Sequence, residues 1–306
     1  MGYFVLESRP NQWTVNLAYS WATIVEMIVY FDTNVFDHLE QLNGVTAWEL
    51  FRIRRAVQHG CIRVVVSYLN IEETLFIVQS QPVRAKARVK LIFELADKNL
   101  VVRGHQNNLN NDIRSYAGGQ PLQSPFEPLT SWMESELWSF AVPIVGSDLR
   151  KLKLVIDKTR RVKKEHQDFM TKSRKKMKLL VPSMVEGRYP FNDYWKNNSV
   201  WLAEGLARRA RALGKVKRRG IPGLLKLKSV VLCVGANLSL IYSHHFEGRT
   251  PASGDSRDVL HAIAASSADA FVTNDRNLAT VLGRIPVEGF QVMNLRDFLD
   301  SLPQWV

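Results

Sequence analysis

The stretch at 27–36, MIVYFDTNVF, decides the fold, because an apolar run ends there on the acid Asp32. Two later stretches repeat the arrangement: VVVSYLNIEETL at 64–75 and DSRDVLHAIAASSADAFVTNDRNL at 255–278. Short apolar runs of this kind are typical of buried parallel strands, and helical spacing appears between them. We therefore predict an α/β fold with a central, mainly parallel sheet.

The acids that follow these runs are the candidate functional residues: Asp32, Glu72, Glu73, Asp258 and Asp275. Ligand sites in open α/β sheets lie beyond the carboxyl ends of the strands, so neighbouring strands would bring the acids into one pocket. Clustered carboxylates repel one another unless a cation neutralises them, and oxygen ligands favour Mg²⁺ or Mn²⁺. The pattern predicts a metal site suited to phosphodiester hydrolysis, for which two metals need several carboxylates in one small volume.

At these residues the chain resembles the PIN-domain nucleases, which are metal-dependent ribonucleases. The family opens with a strand into Asp-Thr/Ser-Asn, matched here at 32–34. A second strand reaches a Ser, matched by Ser67, and a helix carries a Glu five or six positions later. The late part is an Asp at a helix start, matched by Asp258, and a strand ending Thr-Asn-Asp, matched at 273–275. The resemblance covers roughly 27–103 and 228–303.

The resemblance implies a three-layer α/β/α fold and a set of site residues. The implied catalytic and metal-binding residues are Asp32, Glu73, Asp258 and Asp275. Thr33 and Asn34 would orient Asp32, and Thr273 would orient Asp275, as outer partners of the metal ligands. The family spacing after Ser67 favours Glu73 over Glu72.

Simpler interpretations of single residues stay open. Asp258 could cap a helix, and Asp255 is an alternative cap or outer ligand. Asp32 and Asp275 could be turn formers at strand ends. His261 lies one helical turn after Asp258, and we expect it to pack or hydrogen-bond near the site rather than to act in catalysis. For His244 and His245 we expect a surface loop.

The middle of the chain departs from a minimal PIN domain. Residues 104–147 lose periodicity and predict loops, with a short helix at 131–142. Residues 150–220 carry 22 Lys and Arg against six Asp and Glu, whereas the whole chain is +12, so the remainder is slightly acidic. The sequence predicts two basic helices here, a long one at 151–180 and a second at 199–220. Such dense like charge predicts that they bind a phosphate backbone, with Lys172, Arg174, Lys175 and Lys176 as candidate contacts. A solvated helix face is the alternative.

Aromatic residues lie between the two basic segments, namely Tyr189, Phe191, Tyr194, Trp195 and Trp201. They could stack on unpaired bases, but we favour a small core that ties helices together.

The domain organisation follows from these boundaries. We expect a PIN-like core at 27–103 and 228–306, an insert at 104–227, and an N-terminal extension of uncertain status at 1–26. Cys61 and Cys233 lie in apolar stretches and predict buried thiols, and no signal peptide or membrane span is apparent, which together suggest the cytoplasm.

The resulting functional hypothesis is a metal-dependent endoribonuclease with an RNA substrate and a Mg²⁺ or Mn²⁺ centre. The alternative is a catalytically silent PIN-fold protein that binds nucleic acid. Asn34 stands where an aspartate-nucleophile phosphatase needs a second Asp, which counts against that class. The resemblance covers both toxins with an antitoxin-type protein partner and RNA-processing enzymes, and a homodimer is not excluded.

Overall fold

The computed structural model describes residues 26–78, 80–102, 104–128, 189–252 and 254–303, with isolated positions between 157 and 172. The strands are β1 (Met27–Phe31), β2 (Ile62–Ser67), β3 (Ala96–Val102), β4 (Phe126–Glu127), β5 (Ala270–Val272) and β6 (Gln291–Met293). The helices are α1 (Thr33–Gln41), α2 (Ala47–Gln58), α3 (Tyr68–Leu75), α4 (Pro82–Leu95), α5 (His105–Gly118), α6 (Phe191–Arg209), α7 (Leu213–Arg219), α8 (Ile221–Leu224), α9 (Lys228–His245), α10 (Asp255–Ala264), α11 (Arg276–Gly283) and α12 (Leu295–Ser301).

The six strands form one sheet in the order β4-β3-β2-β1-β5-β6, which is parallel except for the pairing of β3 with β4. The three strands that carry the acids are therefore neighbours, as predicted. Tyr30 pairs with Val65 on one side and with Phe271 on the other. Their carboxyl ends lie at one edge of the sheet.

Alternating side chains divide the core into two clusters, one on each face of the sheet. Tyr30 and Phe271 belong to the larger cluster, together with the buried faces of α5 to α11. Phe31 and Val272 belong to the other cluster, with α1, α2, α4 and α12. Successive strand residues point to opposite faces, so apolar residues at consecutive positions cover both sides. The architecture is a three-layer α/β/α arrangement.

Several sequence-derived boundaries are confirmed and one is wrong. β2 begins and ends at the bounds that its apolar run predicts, 62–67, and β1 lies one residue earlier than the predicted 28–32. The prediction of loops from residue 104 is wrong over α5, HQNNLNNDIRSYAG, a 14-residue helix. Most residues of this helix are polar, so its narrow apolar stripe was not recognised. The stripe consists of Leu109 and Ile113, and their i,i+4 spacing places both on the buried face.

The described helices of the basic segment are integrated in the main core. Ala203 and Ala207 of α6 and Val216 of α7 are fully buried in the same cluster as the sheet residues. The predicted second basic helix is divided here into α6 and α7 at Arg211, whose φ of 57° is left-handed. The helix proposed at 131–142 lies outside the described residues.

The aromatic residues form a packed cluster rather than an open stacking surface. Tyr194 packs at 5.7 Å from the ring of Tyr242 and 5.5 Å from that of Phe246, and Phe191 lies 5.4 Å from Tyr242. They join α6 to α9. Trp201 differs, since it is 71% exposed.

Both cysteines are buried and free, as expected. Among the described residues, no helix is long and apolar enough to cross a bilayer.

Substitution of Gly235 tests the packing of α9 on the sheet's larger core cluster. A Cβ at this position would clash with the side chain of Ile285. We expect Gly235→Ala to reduce the free energy of unfolding by about 1–3 kcal/mol, because close-packed interiors tolerate added atoms poorly. Gly205→Ala in α6 is the control, since its Cβ would meet no described atom within 4 Å and Ala favours helix by about 1 kcal/mol. Equal effects in urea denaturation would contradict this account.

Candidate active site

The candidate site lies where the strand order reverses. From β1 the chain adds β2 and β3 on one side, then returns to place β5 and β6 on the other side. In open α/β sheets this switch point leaves a crevice beyond the strand ends, which is where ligands bind. Asp32 follows β1 and Asp275 follows β5 by three residues, so both stand at the crevice.

Asp32 is held from both sides of this crevice. Its Oδ1 accepts a hydrogen bond from the backbone N–H of Thr33 at 2.6 Å, and its Oδ2 accepts from the hydroxyl of Thr273 at 2.9 Å. The side chain is 8% exposed. Burial, together with the charge of Glu73, raises the pKa of Asp32 more than the charge of His261 and these two hydrogen bonds lower it.

Glu73 reaches the same place from α3. Its Oε2 lies 3.2 Å from Nε2 of His261, and its Oε1 lies 3.1 Å from a guanidinium nitrogen of Arg257. Thr33 adds a side-chain hydrogen bond. Burial alone would raise the pKa of Glu73, but the hydrogen bond and charge of His261, with Thr33 and Arg257, outweigh it and lower the pKa to about 2. Glu73 is therefore ionised.

His261 completes the cluster from α10. Its Nε2 also lies 3.7 Å from Oδ1 of Asp32, and one potential ligand atom from each of Asp32, Glu73 and His261 lies within 4.8 Å of the other two. Burial lowers the pKa of His261, but the hydrogen bond to Glu73 and the surrounding carboxylates outweigh it and raise the pKa. The surrounding acids thus favour the charged form of this imidazole, at the place where a metal cation would otherwise compensate them.

The cluster could hold a metal ion. Two carboxylates and one imidazole nitrogen are a common donor set for divalent cations, and none of the three side chains is more than 21% exposed. Four carboxylates were expected, and the structure brings together two of them with a histidine.

Glu72 and Glu73 differ clearly in position. Glu73 is 21% exposed and faces the cluster. Glu72 is 52% exposed, and among the described residues its one ion pair is with Arg257, at 3.5 Å. Arg257 is buried between them and stacks at 4.5 Å over the ring of Phe76. Only the Glu73 side chain is placed to serve the cluster.

Asp258 lies beside the cluster but outside it. It is in the first turn of α10, with Gly254 as the N-cap, so it does not occupy the cap position itself. Its side chain is 16% exposed, and the nearest described cation is Arg249, at 3.9 Å. Burial, with the charges of Asp255 and Asp275, raises the pKa of Asp258 to about 7. This acid lacks a partner that fully compensates its charge.

Asp275 is exposed and acts as the N-cap of α11. Its Oδ1 accepts from the backbone N–H groups of Asn277 and Leu278 at 2.8 and 3.1 Å. Its charge nevertheless acts on Asp258, which places the two acids close together. Its role as a helix cap, which differs from the turn former considered from the sequence, uses one of its two carboxylate oxygens.

The residues expected to orient the acids do so in a different combination. Thr273 was expected to support Asp275, but its hydroxyl donates to Asp32, and only the backbone N–H of Asp275 reaches Thr273 Oγ1, at 3.0 Å. Asn34 acts indirectly: it donates to Thr273 Oγ1 at 3.2 Å and accepts from the N–H of Asn274. Thr33 contacts both acids, as described above.

The prediction of a surface loop for His244 and His245 is wrong. They end α9 and are 0% and 8% exposed. His244 Nε2 lies 2.8 Å from Asp255, which also accepts from Arg249 and from the N–H of Ala252. Asp255 is thus a buried anchor that fixes the start of α10.

Sequence reasoning missed three groups near the cluster. Arg257 precedes Asp258 directly, but its contact with Glu73 joins residues far apart in the sequence. His105, at the start of α5, fell in a region predicted as loops; burial lowers its pKa, with the charges of His261 and Arg257 adding to the effect. Tyr30 appeared only as a core residue of β1, yet its hydroxyl reaches His261 at 2.8 Å.

Of the four basic residues proposed to bind nucleic acid, Lys172 is helical and exposed. Arg174, Lys175 and Lys176 lie outside the described residues, as does most of the predicted long basic helix.

The negative charge of Asp258 should lower the free energy of unfolding of the metal-free protein at high pH. Its pKa is about 7 in the folded protein against an ordinary 3.8, so the folded state binds the proton more tightly. This contribution to stability is complete below about pH 4 and is lost as the pH rises through 7. In EDTA, the free energy of unfolding of the natural protein should fall between pH 5 and pH 8. We expect this fall to be roughly 1–3 kcal/mol smaller in Asp258→Asn. Asp300→Asn is the control, because Asp300 is an exposed residue of α12. Indistinguishable pH profiles for both variants would contradict the prediction.

Comparisons with known proteins identify no relative for this site. A scan against protein-family models finds no matching family, and searches of curated proteins and of solved structures find no significant match.

Proposed function

We propose that this protein is a metal-dependent endoribonuclease with a PIN-like fold. The observation that carries the proposal is the buried cluster of Asp32, Glu73 and His261 at the switch point of a parallel sheet. Burying ionised acids is costly unless a counter-charge compensates them, so such a cluster is a feature that folding stability alone does not favour. The ordered motifs shared with PIN nucleases support the same conclusion.

Asp32 and Glu73 would hold Mg²⁺ or Mn²⁺, with Asp258 and Asp275 facing the same crevice as further acids. When bound, such a cation neutralises charge on the phosphodiester and makes a water molecule more acidic. The protein's own part is orientation. Thr273 and the N–H of Thr33 fix both oxygens of Asp32, which limits the rotation of this carboxylate.

The acidic crevice needs help to attract an RNA substrate. The residues at 150–220 carry most of the positive charge of the chain, and the rest is slightly acidic. We propose that this basic segment contacts the phosphate backbone, with Lys172, Arg174, Lys175 and Lys176 among the contacts. A protein partner of the antitoxin type remains part of the hypothesis and rests on the family resemblance alone.

The alternative function is nucleic-acid binding without catalysis. The buried pair of Glu73 and His261 could serve stability only, since the charged form of His261 would balance the acids without a metal cation. Incubation with RNA in Mg²⁺ or Mn²⁺, with mapping of product ends, separates the two functions.

Substitution of the acids provides the direct test of catalysis. We expect Asp32→Asn and Glu73→Gln each to reduce the rate of RNA cleavage by about 100-fold or more, because each removes a charge that the cation requires. Glu72→Gln is the matched control and should stay within a few-fold of the natural protein, since Glu72 lies outside the cluster. If Glu72→Gln alone lost activity, or if EDTA left cleavage intact, the assignment would be wrong.

Salt dependence tests the basic segment. Replacing Lys172, Arg174, Lys175 and Lys176 with Gln should weaken RNA binding across many sequences. Each lost phosphate contact should flatten the log–log dependence of affinity on salt by about 0.7 units. Replacing four exposed lysines outside this segment, Lys86, Lys90, Lys98 and Lys226, with Gln is a charge-matched control. An unchanged slope in the first variant would identify its charges as a solvated helix face.

A further inference from the structure

A chain of buried hydrogen bonds leads from the core to His261. The hydroxyl of Tyr30 lies 2.8 Å from Nδ1 of His261 and 2.7 Å from Oγ of Ser67. Ser67 Oγ lies 3.1 Å from Oδ1 of Asn70. The four residues are at most 3% exposed. Because water scarcely reaches them, every hydrogen must be shared among the four side chains and the backbone around them.

The orientation of the Asn70 amide sets the direction of this chain. Its Nδ2 donates to the carbonyl of Phe31 at 3.0 Å, and its Oδ1 accepts from the N–H of Ser67 at 3.0 Å. A carbonyl can only accept and an N–H can only donate, so the amide oxygen must face Ser67. Oδ1 has no hydrogen, and the Ser67 hydroxyl therefore donates to it.

The remaining protons follow one by one. Ser67 has used its single hydrogen, so the hydroxyl of Tyr30 must donate to Ser67. The Tyr30 hydroxyl has then used its own hydrogen, so towards His261 its oxygen can only accept a hydrogen bond. Nδ1 of His261 is consequently the protonated nitrogen of the neutral ring. The lone pair of a neutral ring lies on Nε2, the atom that faces Glu73 and Asp32.

We propose that the chain Asn70–Ser67–Tyr30 fixes His261 as a metal ligand through Nε2, so that the centre is a mixed carboxylate–imidazole site that prefers Mn²⁺ to Mg²⁺. Mg²⁺ favours oxygen ligands and gives up water reluctantly. Imidazole suits the transition metals, whose affinity for nitrogen ligands rises along the series that begins with Mn²⁺. The inference rests on the proposed function only in treating this cluster as the metal site.

Pulsed electron paramagnetic resonance of the full chain with Mn²⁺ alone tests the ligand directly. A histidine nitrogen bound to Mn²⁺ gives a ¹⁴N coupling, which we expect in the natural protein and not in His261→Ala. Calorimetric titration should give a dissociation constant for Mn²⁺ at least about tenfold below that for Mg²⁺. Absence of the coupling in the natural protein would overturn the proposal.

Variants of the chain test its positioning role. Tyr30→Phe removes the acceptor for Nδ1–H, and Ser67→Ala frees the Tyr30 hydroxyl to donate to Nδ1, which moves the ring hydrogen to Nε2. Each should weaken Mn²⁺ binding by about 10–100-fold with a much smaller effect on Mg²⁺. Tyr242→Phe is the matched control, because this buried hydroxyl donates to the carbonyl of Tyr189 away from the cluster. If circular dichroism shows that Tyr30→Phe does not fold, the Mn²⁺ affinity of Ser67→Ala tests the positioning role instead.

The outcomes also separate this inference from the proposed function. Unchanged Mn²⁺ affinity in folded Tyr30→Phe and Ser67→Ala would overturn the positioning role. RNA cleavage without a ¹⁴N coupling would overturn the histidine ligand but would support the proposed ribonuclease activity. A coupling without cleavage of any RNA would support the mixed carboxylate–imidazole site and would overturn the proposed ribonuclease activity.

Discussion

The parallel pairing of β1 with both β2 and β5 is the constraint on which the rest of the structure depends. The register of Tyr30 with Val65 and Phe271 brings three strand ends level, and each end carries a polar residue: Asp32, Ser67 or Thr273. The alternation of side chains then directs the Tyr30 hydroxyl to one face and Phe31 to the other. A slip of one residue would exchange these faces and dismantle the site.

Much of this arrangement could be predicted from the sequence because it depends on local patterns. Apolar runs identified the strands, and the position of Asp32 just after β1 followed from its place in the chain. The spacing after Ser67 favoured Glu73, the glutamate that reaches the cluster. The strand inferences need only the periodicity of a strand or helix and the rule that parallel strands end together, whereas the choice of Glu73 came from the spacing in the family that the chain resembles.

The rest depends on contacts that no local pattern encodes. Thr273 supports Asp32 instead of its near neighbour Asp275, because β1 and β5 are adjacent although 241 positions separate the two side chains. His261 joins the acids because α10 packs over the Tyr30 face of the sheet. α5 was mistaken for loops because asparagines dominate it, and its two core residues, Leu109 and Ile113, were too few to stand out.

The hydrogen bond between Thr273 and Asp32 also has a consequence for the order of events during synthesis. A chain still being made, or truncated before α10, contains Asp32 and Glu73 but has neither the hydroxyl that orients Asp32 nor the His261 ring. Contacts this distant in sequence form late, since a long loop must close first. The cluster of Asp32, Glu73 and His261, with Thr273 supporting it, therefore cannot form until nearly the whole chain has been made.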